Sequence, residues 1–118
     1  MKYILLIYSD EQKWKSATPA DLQRVYEGHD AYGKAMEAAG VMRGGYELKP
    51  VTTATTIRFD GGKQTTLDGP FAETKEQLGG YYVIEVDNLE QALEWAAKMP
   101  GMDISGGAVE VRPLGMGG

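Results

Sequence analysis

The stretch TLDGPFAETKEQLGGYYVIE, residues 66–85, decides the fold because it joins two β-rich segments through a tight turn. Its second half continues as GGYYVIEV, in which apolar or aromatic side chains occupy both alternating sets of positions. A strand with two apolar faces is typical of the inside of a sheet. We therefore expect this strand near the sheet centre, in a sheet whose two faces are both covered.

The turn before this strand, Asp68-Gly69-Pro70-Phe71, has two interpretations. In the first, the Asp68 carboxylate accepts hydrogen bonds from nearby backbone amides in an Asx-turn, and Phe71 anchors the loop in the core. In the second, the rigid turn holds the carboxylate in position for chemistry. One turn can serve both purposes, so the sequence leaves both open.

The segment Thr18-Pro19-Ala20-Asp21 predicts the start of a long helix. Thr18 suits the N-cap, Pro19 suits the first helical position, and Asp21 lies at the positive end of the helix dipole. The helix should run to about Ala39 and end at Gly40. Spacings of three and four residues predict its apolar face, which consists of Leu22, Val25, Tyr26, His29, Tyr32, Gly33, Met36 and Ala39.

A second helix should follow the central strand. Asp87 or Asn88 is its expected N-cap, and Pro100-Gly101 ends it. Its predicted apolar face consists of Leu89, Ala92, Leu93, Ala96 and Ala97.

The remaining segments predict strands over residues 2–8, 41–48, 52–59, 64–67 and 107–114. Gly44-Gly45 indicates a bulge or a close backbone approach, and the turn at residues 60–63 makes a hairpin. The resulting order predicts an α+β fold, a ferredoxin-like βαββαβ arrangement with an inserted hairpin. We expect one domain over residues 1–114 and a disordered tail over residues 115–118.

The composition excludes several classes of function. No cysteine is present among 118 residues, which excludes disulfides and thiol chemistry, and with a single histidine we expect no metal site. The glycine pairs lack the spacing of a dinucleotide fingerprint, so we expect no cofactor. The net charge of −5, without a basic cluster, disfavours direct binding to nucleic acid. The first apolar run is too short for a signal peptide or a membrane span, which predicts a cytoplasmic protein.

The predicted sheet is apolar on both faces, with Tyr82, Ile84 and Val86 on one side and Tyr81 and Val83 on the other. Two helices on one side cover only one of these faces. We therefore expect a homodimer in which the open sheet faces of two copies meet around a two-fold axis.

The segment DGPFAETKEQLGGYYVIEVDNLEQALEWAAKMP, with GVMRGGYEL before it and GAVEVRPL after it, resembles the DGPF-domain branch of the YCII-related family. The resemblance covers nearly the whole chain. It implies a dimeric α+β barrel and an enzyme whose active site contains a histidine and an aspartate. These residues carry over to His29 and Asp68. The DGPF branch is also linked to transcription through gene neighbourhood with sigma factors, which concerns partners.

Two hypotheses of function follow. In the first, the protein is a cofactor-free isomerase or lyase-like enzyme, in which His29 transfers protons on a small molecule, Asp68 orients His29, and Tyr8, Phe71 and Tyr81 contact the substrate. In the second, the protein is a non-catalytic ligand-binding or regulatory dimer, linked to transcription through a protein partner. His29 would then be a structural histidine bonded to one of the tyrosines.

Overall fold

The computed structural model describes residues 1–117 and contains six strands. They are β1 (Lys2–Ser9), β2 (Met42–Glu47), β3 (Thr55–Asp60), β4 (Lys63–Asp68), β5 (Gln77–Glu85) and β6 (Ala108–Pro113). Four of them form an antiparallel sheet in the order β2-β5-β1-β6, so that the GGYYVIEV strand has a neighbour on each side, as predicted. The register shifts between Met42 and Gly44, which confirms the bulge predicted at the first glycine pair.

Four helices connect these strands: α1 (Glu11–Lys15), α2 (Pro19–Ala38), α3 (Leu89–Ala97) and α4 (Met102–Ser105). The Thr18 hydroxyl accepts a hydrogen bond from the Asp21 amide at 3.1 Å, and Gly40 adopts φ 75° beyond the other end of α2. Asn88 caps α3 by accepting from the Gln91 amide at 3.0 Å. These contacts confirm the predicted helix ends, whereas α1 and α4 are single short turns that periodicity did not reveal. The chain is thus a mixed α+β protein with antiparallel sheets.

The hydrophobic core lies between one face of the four-stranded sheet and the helices. Its buried side chains are Tyr3, Leu5, Tyr32, Met36, Ile84, Val86, Ala92 and Met99. Leu89 and Leu93, which the sequence placed on the buried face of α3, are each 49% exposed, so that part of the prediction is wrong. Ala92 and Ala96 of the predicted face do pack on the core, and Trp95, which was not predicted, packs beside them. Apolar spacing alone could not choose between these two adjacent stripes.

The other face of the sheet has no helix on it. Residues alternate across a strand, so Ile4 and Leu6 of β1 and Tyr81 and Val83 of β5 point away from the core and remain partly exposed. The homodimer expected through this face stays a prediction. Within residues 1–117, no helix is both long and apolar enough to cross a membrane.

The inserted hairpin, β3 with β4, forms a sheet of its own around the predicted turn at residues 60–63. We call it the arm. The radius of gyration is 16.0 Å, whereas a compact domain of this length is expected to have about 13.5 Å. An arm extending from the body accounts for the difference.

Phe71, which follows the arm, is 71% exposed, so the expectation that it anchors the turn in the core is wrong. The guanidinium of Arg58 lies 5.0 Å from the centroid of its ring. The Asp68 carboxylate accepts no hydrogen bond from any residue in the part of the chain described, so the expected Asx-turn is not formed either. The turn lies at the base of the arm, away from the core, and Phe71 is therefore exposed. The local sequence does not show this distance from the core.

The single domain over residues 1–114 and the disordered tail over residues 115–118 stay predictions. Residues 115–117 carry no helix or strand, and Gly118 lies outside the described residues.

Met36 and Leu93 give a direct test of which helix faces are buried. We expect Met36→Ala to lower the free energy of unfolding by about 2–5 kcal/mol, because its fully buried side chain leaves a cavity. Leu93→Ala should lower it by less than about 1 kcal/mol, because that side chain is half exposed. Urea unfolding of both variants measures the two values, and equal losses would contradict the packing of α3.

Candidate functional site

A cavity of about 480 Å³ opens on the helix side of the sheet. It is bounded by α1 and α2 and by the adjoining ends of β2 and β5, and its lining combines aromatic residues, among them Trp14, Tyr26 and Tyr82, with aliphatic and polar residues and glycines. Ligand cavities in proteins usually measure roughly 300–1,000 Å³ and combine apolar walls with a few polar groups. This cavity therefore has the size and lining of a small-molecule site.

Glycines on the sheet make room for the cavity. A Cβ atom at Gly45 would lie 2.6 Å from the Tyr81 carbonyl oxygen and 2.9 Å from the Cδ1 atom of Tyr82, so no larger residue fits there without displacing the ring. Gly80 lies on the same face, paired with Glu47 across the strands. Because glycine has no side chain, the backbone at these positions forms the floor of the cavity, and the space between the sheet and α2 stays open.

His29 and Tyr82 form the central polar contact of the cavity. The imidazole Nδ1 lies 2.8 Å from the Tyr82 hydroxyl oxygen, and the two rings stack at 5.9 Å between centroids with an angle of 19° between their planes. The other ring nitrogen, Nε2, makes no hydrogen bond with residues 1–117. One nitrogen of the imidazole is thus held by the protein and the other is available for a ligand.

Burial controls the ionisation of this pair. Burial lowers the pKa of His29 below its ordinary value, and the nearby Glu47 carboxylate opposes this shift with a smaller raising effect. Burial also raises the pKa of the Tyr82 hydroxyl. At neutral pH the imidazole is therefore neutral and the phenol protonated. Either group can then donate the hydrogen bond: the Tyr82 hydroxyl to Nδ1, or Nδ1–H to the Tyr82 oxygen, depending on the tautomer of His29.

Glu47 of β2 is the carboxylate associated with this histidine. Its Oε1 accepts a hydrogen bond from the Tyr26 hydroxyl at 3.2 Å, which connects the edge of the sheet to α2 across the cavity. Burial, and then the charge of Glu47, raise the pKa of Tyr26. The Tyr26 phenol and the His29 imidazole therefore both lie within the electrostatic influence of Glu47.

The remaining rim comes from α1. The Trp14 indole N–H donates to the Ser9 hydroxyl at 3.0 Å, which fixes the ring at the cavity wall. The Glu11 carboxylate accepts from the Val51 amide at 3.1 Å and so ties the rim to the segment that leads into the arm. Lys15 also lines the cavity. In residues 1–117, no group of three or more His, Cys, Asp or Glu side chains is placed to hold a metal ion.

The structure does not bring the predicted site residues together. Asp68 lines a second cavity at the base of the arm with Pro70 and Glu73, and it makes no hydrogen bond with His29. Tyr8 lies on the open face of the sheet, where its hydroxyl donates to Glu110 Oε1 at 3.3 Å. Phe71 lines neither cavity. Of the predicted residues, His29 and Tyr81 line the main cavity, although the Tyr81 side chain points to the opposite face of the sheet.

Sequence reasoning assigned no role in chemistry to Glu47 and treated Tyr82 only as a core residue or one of several possible partners of His29. The signal that could have found them is the pair of glycine doublets. Gly45 and Gly80 precede Glu47 and Tyr82 by two residues each, on the same face of their strands. Glycines next to polar side chains on the same face of a strand mark a place where a ligand can approach the sheet closely.

Comparisons with known proteins identify the family. The model of the YCII-related domain matches residues 1–115. An uncharacterised protein of Rhizobium meliloti (strain 1021) is 37% identical over 116 residues, which is 98% of this chain and 94% of that protein. The chain therefore belongs to the YCII-related family, as its sequence indicated.

A solved structure shows a similar fold. It is the 5-chloro-2-hydroxyhydroquinone dehydrochlorinase of Burkholderia phenoliruptrix AC1100 in complex with 2,5-dihydroxybenzoquinone. The TM-score is 0.52, with 14% sequence identity over 99% of this chain and 96% of that one. At this identity the likeness concerns the fold alone.

The sole histidine allows a direct test of its surroundings by NMR titration. We expect the His29 pKa to lie below about 6.5, the value of an unperturbed histidine. Glu47→Gln should lower it further, because the carboxylate raises it. Asp68→Asn should leave it unchanged, since Asp68 lines a different cavity. A pKa that responds to Asp68 and not to Glu47 would contradict this geometry.

The same shift predicts a pH dependence of stability. Because the folded-state pKa of His29 is lowered, the unfolded chain takes up the proton first as the pH falls. The contribution of His29 is therefore complete above about pH 6.5 and is lost as the pH falls through the folded-state pKa. Chemical unfolding of the wild type and of His29→Gln between pH 7.5 and about 5 isolates this effect from the carboxylates. A constant difference between the two proteins across that range would refute it.

Proposed function

We propose that this YCII-related protein is a cofactor-free enzyme that transfers protons on a small, planar ring compound, in an isomerisation or an elimination. The observation that supports it most is the half-buried His29, which lines an aromatic cavity with one ring nitrogen bonded to Tyr82 and the other without a protein partner. A neutral imidazole at such a position is suited to general acid–base catalysis near neutral pH.

The chemistry needs only these two groups. When Nδ1–H donates to the Tyr82 oxygen, Nε2 keeps its lone pair and accepts a proton from a hydroxyl or an activated C–H group of the substrate. The Tyr82 hydroxyl proton is then free to be donated to a substrate oxygen on which negative charge develops. In an elimination, the proton goes to His29 and the leaving group departs with the bonding electrons, so no redox partner is required.

The cavity favours a ring-shaped substrate. The aromatic rings in its lining, such as Trp14 and Tyr82, offer flat, apolar contact surfaces, and Tyr26, Glu47 and Lys15 add polar groups at its margins. The dehydrochlorinase of similar fold acts on a hydroxylated ring, and its structure holds a quinone. This agreement supports the class of substrate, since the chemistry of removing a proton and a chloride is of the same kind.

We further propose that two copies associate through the open sheet face into a dimeric α+β barrel of ferredoxin-like protomers. The strand order β2-β5-β1-β6 and the partly exposed Ile4, Leu6 and Val83 support this assembly. Within the family we assign the chain to the DGPF branch, acting in the cytoplasm.

A non-catalytic ligand-binding dimer is the second candidate, and one contact favours it. The His29–Tyr82 hydrogen bond, with its stacked rings, is what a structural histidine in an aromatic cluster would show. Such a protein would bind the ring compound through the same cavity without changing it.

The test uses the two compounds that the similar structure names. Calorimetry measures the binding of 2,5-dihydroxybenzoquinone, and chloride release measures the turnover of 5-chloro-2-hydroxyhydroquinone. We expect both in the wild type, with kcat/KM increasing with pH through the lowered His29 pKa. His29→Gln should reduce kcat by about 10²–10⁴-fold, as loss of a general base does. Asp68→Asn is the matched control outside the cavity and should keep full activity.

Each result has a defined meaning. Binding without chloride release, or release that His29→Gln leaves unchanged, would favour the non-catalytic alternative. Failure to bind the quinone would exclude this class of ring compound. Loss of activity in Asp68→Asn at unchanged stability would support the role in the active site that the family resemblance implied for Asp68.

A further inference from the structure

The arm presents apolar side chains that its own chain does not cover. Ile57 and Phe59 lie on one face of the hairpin, as the pairing of Phe59 with Gln64 across the strands shows, and they are 54% and 73% exposed. Leu67 lies on the other face opposite Thr56, and Phe71 joins that side through its contact with Arg58. Four large apolar residues thus project from a segment of 17 residues, counted from Thr55 to Phe71.

A hairpin of this kind needs a partner surface. A two-stranded sheet alone is at best marginally stable in water, and stable sheets have a third strand or a packed face. Here β3 and β4 pair only with each other among the described strands. The large radius of gyration agrees with an arm that does not fold back onto the body. The arm is therefore shaped to pack on another molecule.

We infer that this other molecule is a second copy of the same chain, and that each arm packs on its partner in the dimer. The inference rests on the dimer of the proposed function and extends it: the open sheet faces meet, and the two arms reach past them. In a two-fold dimer both arms make the same contact, so one interface would cover the open sheet face together with the arm face that carries Ile57 and Phe59.

The available area is sufficient for a stable dimer that includes the arms. Four strands spaced about 4.8 Å apart, and roughly 24 Å long on average, give a projected face of roughly 450 Å². A stable interface of standard size buries about 800 Å² of accessible surface per partner. The arm adds roughly 200 Å² on each copy, and its docking surface on the partner adds the same again. With the arms and their docking surfaces, the projected area of each copy is roughly 850 Å², which is sufficient for an interface of standard size.

The test measures the dimer dissociation constant by sedimentation equilibrium. We expect Ile57→Ser combined with Phe59→Ser to increase this constant by at least about tenfold, because both side chains would leave a buried interface. The matched control is Leu93→Ser, which removes a comparably exposed apolar side chain from α3 on the opposite side of the sheet, and it should leave the constant unchanged. Circular dichroism checks that the variants fold.

A second measurement follows the arm itself. The chain has no cysteine, so Gln64→Cys places a single environment-sensitive dye on the arm face beside Phe59. We expect its emission to shift to the red on dilution from dimer to monomer, while a dye at Leu93→Cys does not respond. An unchanged dissociation constant in the arm variant, a dye that stays solvent-exposed in the dimer, or a wild-type monomer at micromolar concentration would each overturn the inference. Chloride release by the same variants is read separately, so that failure of the arm contact is distinguishable from failure of the chemistry.

Discussion

The ring of Tyr82 is the contact on which both the core and the site depend. It stacks on His29 on one side, and on the other it meets Tyr32 edge to face, at 5.3 Å between ring centroids. The Tyr32 hydroxyl in turn donates to the Trp95 carbonyl at 2.6 Å, and the two rings also meet edge to face. An aromatic series thus runs from α3 across the core to the cavity. The position of the imidazole is therefore set by core packing rather than by a flexible loop, which is how a reactive group is best held.

The chemistry of the imidazole results from two opposing effects. Burial removes water from around His29 and favours its neutral form, while the charge of Glu47 favours the protonated form. Burial is the stronger effect, so the ring is available as a base where an exposed histidine would be partly protonated. Removing water from the cavity also strengthens any hydrogen bond that a ligand makes there. The aspartate that a His–Asp pair would require has no part in this balance.

The helices cover only one face of the four-stranded sheet. Both helices of the core, α2 and α3, lie on that face. The inserted hairpin does not add strands to the four-stranded sheet but forms a separate sheet that extends from the body. The segment that leads into the arm is joined to the cavity rim by the hydrogen bond from the Val51 amide to Glu11. Contacts made by the arm with a second chain would therefore act close to the residues that line the cavity.

The sequence by itself determined the elements and the class of fold. Thr18, Asn88 and Gly40 act through bonds to residues a few positions away, so local chemistry predicted where the helices begin and end. The central strand was predictable from its two apolar faces. Only the tertiary structure decided which carboxylate acts on the pKa of His29 and what surrounds Phe71, because these depend on the arrangement of strands and helices far apart in the chain. A turn sequence specifies the backbone conformation of Asp68-Gly69-Pro70-Phe71, but the direction in which the arm carries that turn is set by the sheet to which it is attached.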